Sequence, residues 1–555
     1  MNKNLEELRF LKESEDHIEF KEAKNNFNVN GGTHADPKKR RHCILGYIVA
    51  LANEGGGRLV FGMADKYPHD IVGTKFELGK LGNLEDYIYE NLSIRVRIDE
   101  EYDNENRVLI FNIPSRPIGR MLKFEGVPLM RVGESLREMS DEEMLKVLSE
   151  QEVDFSAKIC EGLTYEDLDE DAIRILKNRY AEKNNNPNFE LLPNEQVLKD
   201  LELSCDGNKY TYAALILLGK KRSIKKYLPH NNVVIEYRRD PASIQYDARI
   251  EIQEPLYKGI EQVWNYINQP ALNPMMHVRM GAYIYDIFPF NQDTIREAIL
   301  NAIVHRSFQI KNDVVIKLST NELIITNAGG FPLGVNLKNL LTINSTPRSK
   351  QLVDVLQKTG LVEKSGQGVD KMFYNCIMES KLLPDYSKTD NYQVELRLST
   401  SIQNKAFLMF IRQEQYSRPI DKKLNIFELL ILYKISRKES VLDADSEIIY
   451  KLEQEKLIKV RKNGSIVLSD KYNDYEKIIT NQETAAWKEA LKKCFANSEY
   501  MTRKQLSEAL SNSISVNQLR YLLQRLEDSN TIKREGMGKG TRYILVNKDI
   551  DALKL

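Results

Sequence analysis

Two glycine-bearing turns in the middle of the chain constrain its topology more than any other feature. The first, Asn327-Ala328-Gly329-Gly330, follows the strand-like run Glu322 to Thr326; the second, Ser365-Gly366-Gln367-Gly368, opens a helix. Glycine lets backbone approach a ligand closely, and free N–H groups at a helix start can hold phosphate. Upstream of both lies DTIREAILNAIVHRS, a helical run in which Glu297 and Asn301 share one face and His305 follows one turn later. A carboxylate and an amide oxygen placed this way suit a hydrated Mg²⁺ and a water poised for attack. By itself that spacing also describes a polar stripe facing solvent. The order of the three pieces favours a nucleotide site.

Composition sets the outer limits. The 555 residues suffice for three to five units. The hydrophobic fraction of 42% and charged fraction of 29% are ordinary for a globular chain. Lys+Arg and Asp+Glu both number 80, so any nucleic-acid surface must be local. Five scattered cysteines form no CxxC pair, which argues against a zinc site or disulfide framework and for a reducing cytoplasm. The charged start MNKNLEELRF lacks an apolar leader core, and no run approaches membrane-spanning length. The expectation is a cytoplasmic protein without a membrane partner. No G-x-x-x-x-G-K-[ST] occurs, which excludes a P-loop motor.

The helix, glycine turn and glycine loop, in that order over roughly 290–375, resemble the divergent GHKL ATP-binding domain of bacterial proteins often labelled RecG-like. The resemblance implies ATP and Mg²⁺ as cofactors: Asn301 on the metal, Glu297 activating water, Gly329 and Gly330 bordering the adenine, Gly366 and Gly368 at the phosphates. Asn327 stands where that family usually has an Asp that accepts from the adenine amino group; an amide oxygen accepts too, without charge assistance. Arg348 and Lys350, between the glycine turns, either reach phosphate or are solvated charges of a lid.

Residues 1–150 carry a second resemblance. Glu19-Phe20-Lys21, the turn Ala50-Leu51-Ala52-Asn53-Glu54-Gly55-Gly56-Gly57, the strand ending Gly62-Met63-Ala64-Asp65 and the later Met130-Arg131-Val132-Gly133 resemble the Schlafen AlbA-type domain. The resemblance implies a nuclease-like carboxylate set, here Glu15, Glu19 and Asp65 with a one-residue shift at the first, gathered on Mg²⁺ or Mn²⁺. A binding domain that does not cut, with Glu19 paired to Lys21 or an amide, is the alternative. Lys38, Lys39, Arg40 and Arg41 head a helix where they can attract a phosphate backbone, or form a solvated basic loop.

After residue 400 come two small helical units. Between 490 and 555 the pattern helix, turn, helix, basic β-tip reads as a winged helix. Asn517, Gln518 and Arg520 would face base edges, and Lys533, Arg534, Lys539 and Arg542 phosphates; protein contact is the other use of such a unit. A degenerate unit of the same kind spans 401–480, and the polar run Lys471 to Glu483 reads as a linker. The expected fold is multidomain α+β: a Schlafen-type domain (1–150), an α/β connector (151–250), a GHKL (Bergerat) α/β sandwich (251–400) and C-terminal winged helices. The expected function is an ATP-controlled nucleic-acid-binding protein, a DNA-binding regulator working as a homodimer or higher oligomer, with weak Mg²⁺-dependent ATPase activity open. The alternative is an ATP-gated, metal-dependent nuclease of RNA or DNA in stress or phage defence.

Overall fold

The computed structural model describes residues 3–13, 17–132, 135–150, 154–205, 208–241, 243–280, 283–332, 334–343, 347–362, 368–441, 445–496, 498, 500–509, 516–536 and 541–546. It is a multidomain assembly of mixed helices and sheets.

In the N-terminal unit the strand Ile18–Lys21 runs parallel to Gly57–Phe61, which pairs antiparallel with Asn106–Ile113 and, beyond it, Arg97–Asp103. The helix Ile44–Asn53 is apolar on all sides and buried along its whole length, which its sequence (ILGYIVALAN) dictates. It returns to the sheet through the Glu54–Gly57 turn, where Gly55 and Gly56 take positive φ (113° and 92°). A Cβ at Gly57 would strike the His17 carbonyl oxygen, so that strand can pair only with glycine there.

The central sheet is mixed and five-stranded, in the order Ala248–Ile252, Val233–Arg238, Val314–Ser319, Glu322–Ala328, Gln393–Ser399. One of its strands, Val233–Arg238, lies before residue 251, where the sequence reading began this unit, and Ala248–Ile252 straddles that boundary. The reason is visible in the pairing: Val233–Arg238 lies parallel to Val314–Ser319 along its full length. The helices ahead of it, Glu170–Asn184 and Tyr212–Leu218, join the same hydrophobic core, which runs without a break from Cys160 to Leu398. Expected connector and expected ATP-binding unit thus share one interior.

The helix Gln292–Val304 is capped by Asn291, whose side chain accepts from the Thr294 amide. It packs Ile295, Ala298, Ile299, Ala302 and Ile303 inward, against the strand Glu322–Ala328 and the helix Gly368–Met378. That packing turns the stripe Glu297–Asn301–His305 towards an internal cavity.

Beyond residue 400, the helices Lys405–Tyr416, Ile426–Ser436 and Ser446–Gln454 and the hairpin Ile458–Val460/Ile466–Leu468 surround a core that also takes in Ile377 and Met378. The polar run read as a linker is instead part of a 27-residue helix, Asp470–Ala496. Its apolar residues explain the correction: Tyr472, Tyr475 and Ile479 recur at helical spacing and pack on the middle of the chain, while Trp487 and Leu491 enter the C-terminal core. That last core lies under the helices Arg503–Ala509 and Val516–Asp528 and a three-stranded sheet in the order Tyr500–Thr502, Arg542–Leu545, Ile532–Glu535. Tyr500–Thr502 is a strand, and Thr502 and Gln505 cap the helix after it reciprocally. Among the described residues no helix is long and apolar enough to cross a membrane.

Candidate nucleotide cavity and its link to the N-terminal domain

Glu297, Asn301 and His305 line one cavity with Asn327, Gly330 and Gly368. Ile325, Phe331, Leu340, Val369 and Tyr386 supply apolar wall. A Cβ on Gly368 would lie 2.5 Å from Oε2 of Glu297, so the start of the helix Gly368–Met378 rests directly on that carboxylate. The Glu297 side chain is 15% exposed and also meets Arg296 Nη1 at 3.3 Å. Gly366 lies outside the described residues.

Asn327 extends the inward-facing series Leu323, Ile325, Asn327 of its strand, so a carboxamide occupies a core position at 5% exposure. It has no hydrogen-bond partner among the described residues, and it faces the cavity. Gly329 has φ of 84° and abuts the Arg348 guanidinium, which donates from Nη2 to the Gly330 carbonyl at 2.8 Å. Arg348 therefore braces the glycine turn, while Lys350 is exposed at the start of the helix Lys350–Lys358; neither lines the cavity. Burial first, and the Arg348 charge second, push the His305 imidazole down to about 4, so it is neutral near pH 7.

The cavity wall is gripped from the N-terminal domain. Arg120 donates to the carbonyls of Phe331 (3.2 Å) and Pro332 (3.3 Å), both lining residues, and to Asn391 Oδ1 at 3.0 Å. The Asn391 carbonyl in turn accepts from the Gly330 amide, and that of Tyr392 from Gly329. Arg95 Nε reaches the buried Asp390 carboxylate at 2.9 Å, and Tyr392 packs against the N-terminal core. Sequence reasoning named none of Arg95, Arg120, Asp390, Asn391 and Tyr392. They stand in irregular segments with no motif around them, and only the tertiary arrangement joins them.

Of the carboxylates expected in the N-terminal domain, Glu19 and Asp65 are described, and both act on Lys21. Glu19 is fully buried and ion-paired twice, with Lys21 at 2.7 Å and Arg131 at 2.9 Å. Arg131 also holds Glu54 (3.0 Å) and donates to the Ile18 carbonyl. Asp65 is exposed, accepts from the Glu22 amide at 3.0 Å and helps, behind Glu19, to raise the Lys21 ammonium above its usual value against the opposing effect of burial. Lys21 thus stands between the two acids. Among the described residues no group of three or more His, Cys, Asp or Glu is arranged to hold a metal. Glu15 lies outside the described residues. With its charge met by two cations, Glu19 does not fit a metal ligand in this arrangement. Arg131 is the hub that the sequence quoted only as part of a strand.

The basic run divides. Lys38 and Lys39 are exposed on the short helix Pro37–Arg41, but Arg40 forks onto Glu125 (2.9 and 3.2 Å) and Arg41 pairs with Glu138. Two of the four charges are therefore already met within the protein. In the C-terminal unit Arg520, Lys533, Arg534 and Arg542 are exposed. Lys533 meets Glu535 at 3.0 Å, and Arg542 stacks over Tyr500. Asn517 and Gln518 fall on the helix Val516–Asp528, though their side chains, like Lys539 as a whole, lie outside the described residues.

Comparison with known proteins gives three matches along the chain. Residues 14–140 match the family model Schlafen, AlbA_2. Residues 311–398 match the model described as putative ATP-dependent DNA helicase recG C-terminal, and 142–234 match a domain of unknown function. No curated protein matches the chain. Among solved structures, the DIP2311 protein from Corynebacterium diphtheriae is 18% identical, with 83% of this chain and 94% of that chain covered at a TM-score of 0.47. The N-terminal domain of a putative ATP-dependent DNA helicase RecG-related protein from Nitrosomonas europaea is 19% identical, with 25% and 88% covered at a TM-score of 0.17.

Proposed function

From a chain that carries a Schlafen AlbA_2 domain and an ATPase-type domain of the RecG C-terminal kind, and so is nucleic-acid-associated, we propose an ATP-controlled nucleic-acid-binding protein that acts as a DNA-binding regulator. The observation that carries the proposal is the grip of Arg120 on Phe331 and Pro332. A ligand that displaces this wall of the cavity pulls directly on the N-terminal domain, so occupancy and the presentation of that domain are coupled.

In this reading the cavity is of GHKL type. The carboxylate of Glu297 and the carboxamide oxygen of Asn301, on one helix face, are the groups that would hold Mg²⁺ and the attacking water; the ion would supply charge neutralisation at the phosphates. Gly368, closing on Glu297, would bring backbone N–H groups to the phosphates. The two helices and three-stranded sheet at the C-terminus are read as a winged helix whose Arg520, Lys533, Arg534 and Arg542 contact nucleic acid, in a homodimer. The ion-paired state of Glu19 favours binding without cutting over a nuclease.

The test is the affinity of the purified chain for tRNA, single-stranded DNA and duplex DNA, with and without ATP·Mg²⁺, in the wild type and in Arg120→Ala. We expect a nucleotide-dependent change of at least about fivefold, the lower end of ordinary coupling, and its loss in Arg120→Ala with intrinsic ATP affinity kept. Nucleic-acid binding indifferent to nucleotide sinks the proposal. Cleavage in Mg²⁺ or Mn²⁺ that disappears in Asp65→Ala overturns the regulator in favour of the nuclease.

A further inference from the structure

Among the polar groups that line the cavity, Asn327 stands at the end of an apolar wall. Along the strand Glu322–Ala328 the inward positions are apolar until Asn327, whose carboxamide is nine-tenths buried, faces the cavity and is without a hydrogen bond among the described residues. Apolar side chains from several elements border it, among them Ile325, Phe331 and Tyr386. Apolar wall beside a convergent amide is chemically matched to a flat heterocycle that presents a hydrogen-bonding edge. We infer that Asn327 reads the 6-position edge of a purine and accepts both 6-amino and 6-oxo purine nucleotides, so that the cavity takes guanosine- and inosine-type nucleotides as well as ATP. This rests on the nucleotide-site reading above.

The chemistry follows from the inventory of a carboxamide, which has one accepting oxygen and two donating N–H groups side by side. With the oxygen towards position 6, it accepts from an exocyclic amino group while its N–H donates to ring N1. Rotated by half a turn about its last torsion, the same group donates to an exocyclic carbonyl and accepts from N1–H. Both orientations have the same shape, and that torsion is intrinsically soft and roughly two-fold. Among the described residues no neighbouring group fixes the choice, because the amide holds no partner there that a rotation would break. A carboxylate here could only accept, and a site restricted to one pattern leaves a buried group unpaired with the wrong base. Sites built that way discriminate by about 10⁴-fold.

Titration calorimetry on the full chain with Mg²⁺ and ATP, ITP or GTP tests the inference, using Asn327→Leu as the variant. Leucine suits the apolar surroundings, and a circular-dichroism melt establishes that the variant folds. We expect ITP and GTP to bind within about tenfold of ATP, and Asn327→Leu to weaken all three purine nucleotides by about tenfold while leaving inorganic tripolyphosphate unchanged. ATP binding with a preference beyond tenfold over both 6-oxo nucleotides overturns the inference and leaves the nucleotide-site reading intact. An unaltered purine affinity in a folded Asn327→Leu variant also overturns it. Failure of all three nucleotides to bind the wild type overturns the nucleotide-site reading and this inference with it.

Discussion

Removing the Glu19 carboxylate should destabilise the N-terminal domain before it affects any chemistry. Glu19 and Arg131 are essentially inaccessible (0% and 4% side-chain exposure), and Lys21, at 16%, completes the set. Breaking a buried pair by deleting one partner costs about 3–5 kcal/mol, because the remaining charge stays in a poor medium. Two features hold Glu19→Ala to the lower end. Arg131 keeps Glu54 and the Ile18 carbonyl, and Lys21 has a route to solvent beside Asp65. A loss of about 3 kcal/mol in a domain of this size lowers its melting temperature by roughly 6–12 °C. The double variant Glu19→Met/Arg131→Met should recover part of that loss, with a coupling of about 2 kcal/mol in the mutant cycle.

Differential scanning calorimetry of the full chain reads the transition. Hydrogen exchange over the parallel strands Ile18–Lys21 and Gly57–Phe61 assigns it to this domain. Asp65→Ala serves as the exposed control and should fall within about 0.5 kcal/mol of wild type. If Glu19→Ala melts within about 2 °C of wild type and its strand amides exchange no faster, the carboxylate is not locked by its cations and the argument fails. The result also bears on function. Lost activity in Glu19→Ala identifies a reacting group only in a variant shown to be folded, whereas Asp65→Ala is free of that confusion.

Two further outcomes follow from the cavity. His305 sits near 4 in the folded chain against an ordinary value of 6.5. Its effect is nil above pH 6.5, where both states are neutral, and stability is lost as pH falls from 6.5 towards 4, by at most about 3 kcal/mol. His230, also lowered by burial, acts in the same direction. Denaturant titrations at pH 7 and pH 5 should therefore show a smaller pH-dependent loss in His305→Gln than in wild type, and equal losses would refute the assignment. In Gly368→Ala the new methyl meets Oε2 of Glu297 at 2.5 Å and must displace the carboxylate. Mg²⁺-nucleotide affinity should drop by at least about tenfold while the melt moves by no more than about 1 kcal/mol, the helix-propensity scale; unchanged affinity would separate Gly368 from the site.

How much of this could be read from the chain depends on how local each determinant is. The helix bearing Glu297 and Asn301 and the strand that leads into the Asn327 turn are encoded by periodicity within a dozen residues, and each stands close to its expected place. The helix Asp470–Ala496 was missed because its two buried stripes serve different cores and its middle is polar, so no single window looks amphipathic. The early start of the central sheet was invisible for a related reason: parallel pairing of Val233–Arg238 with Val314–Ser319 joins segments that share no local signal. The same limit hid the residues most telling for function. Arg131, Arg120 and Asp390 acquire their roles only from partners far away in sequence, and single charged residues in irregular segments are ordinarily solvated. Asn327 is the exception. Its chemistry was evident in the sequence as an amide where a carboxylate is usual, yet only the folded strand shows it buried without a partner. A polar group at a core position that opens onto a cavity points to a ligand there, and this makes the cavity, more than the N-terminal carboxylates, the place to begin experiments.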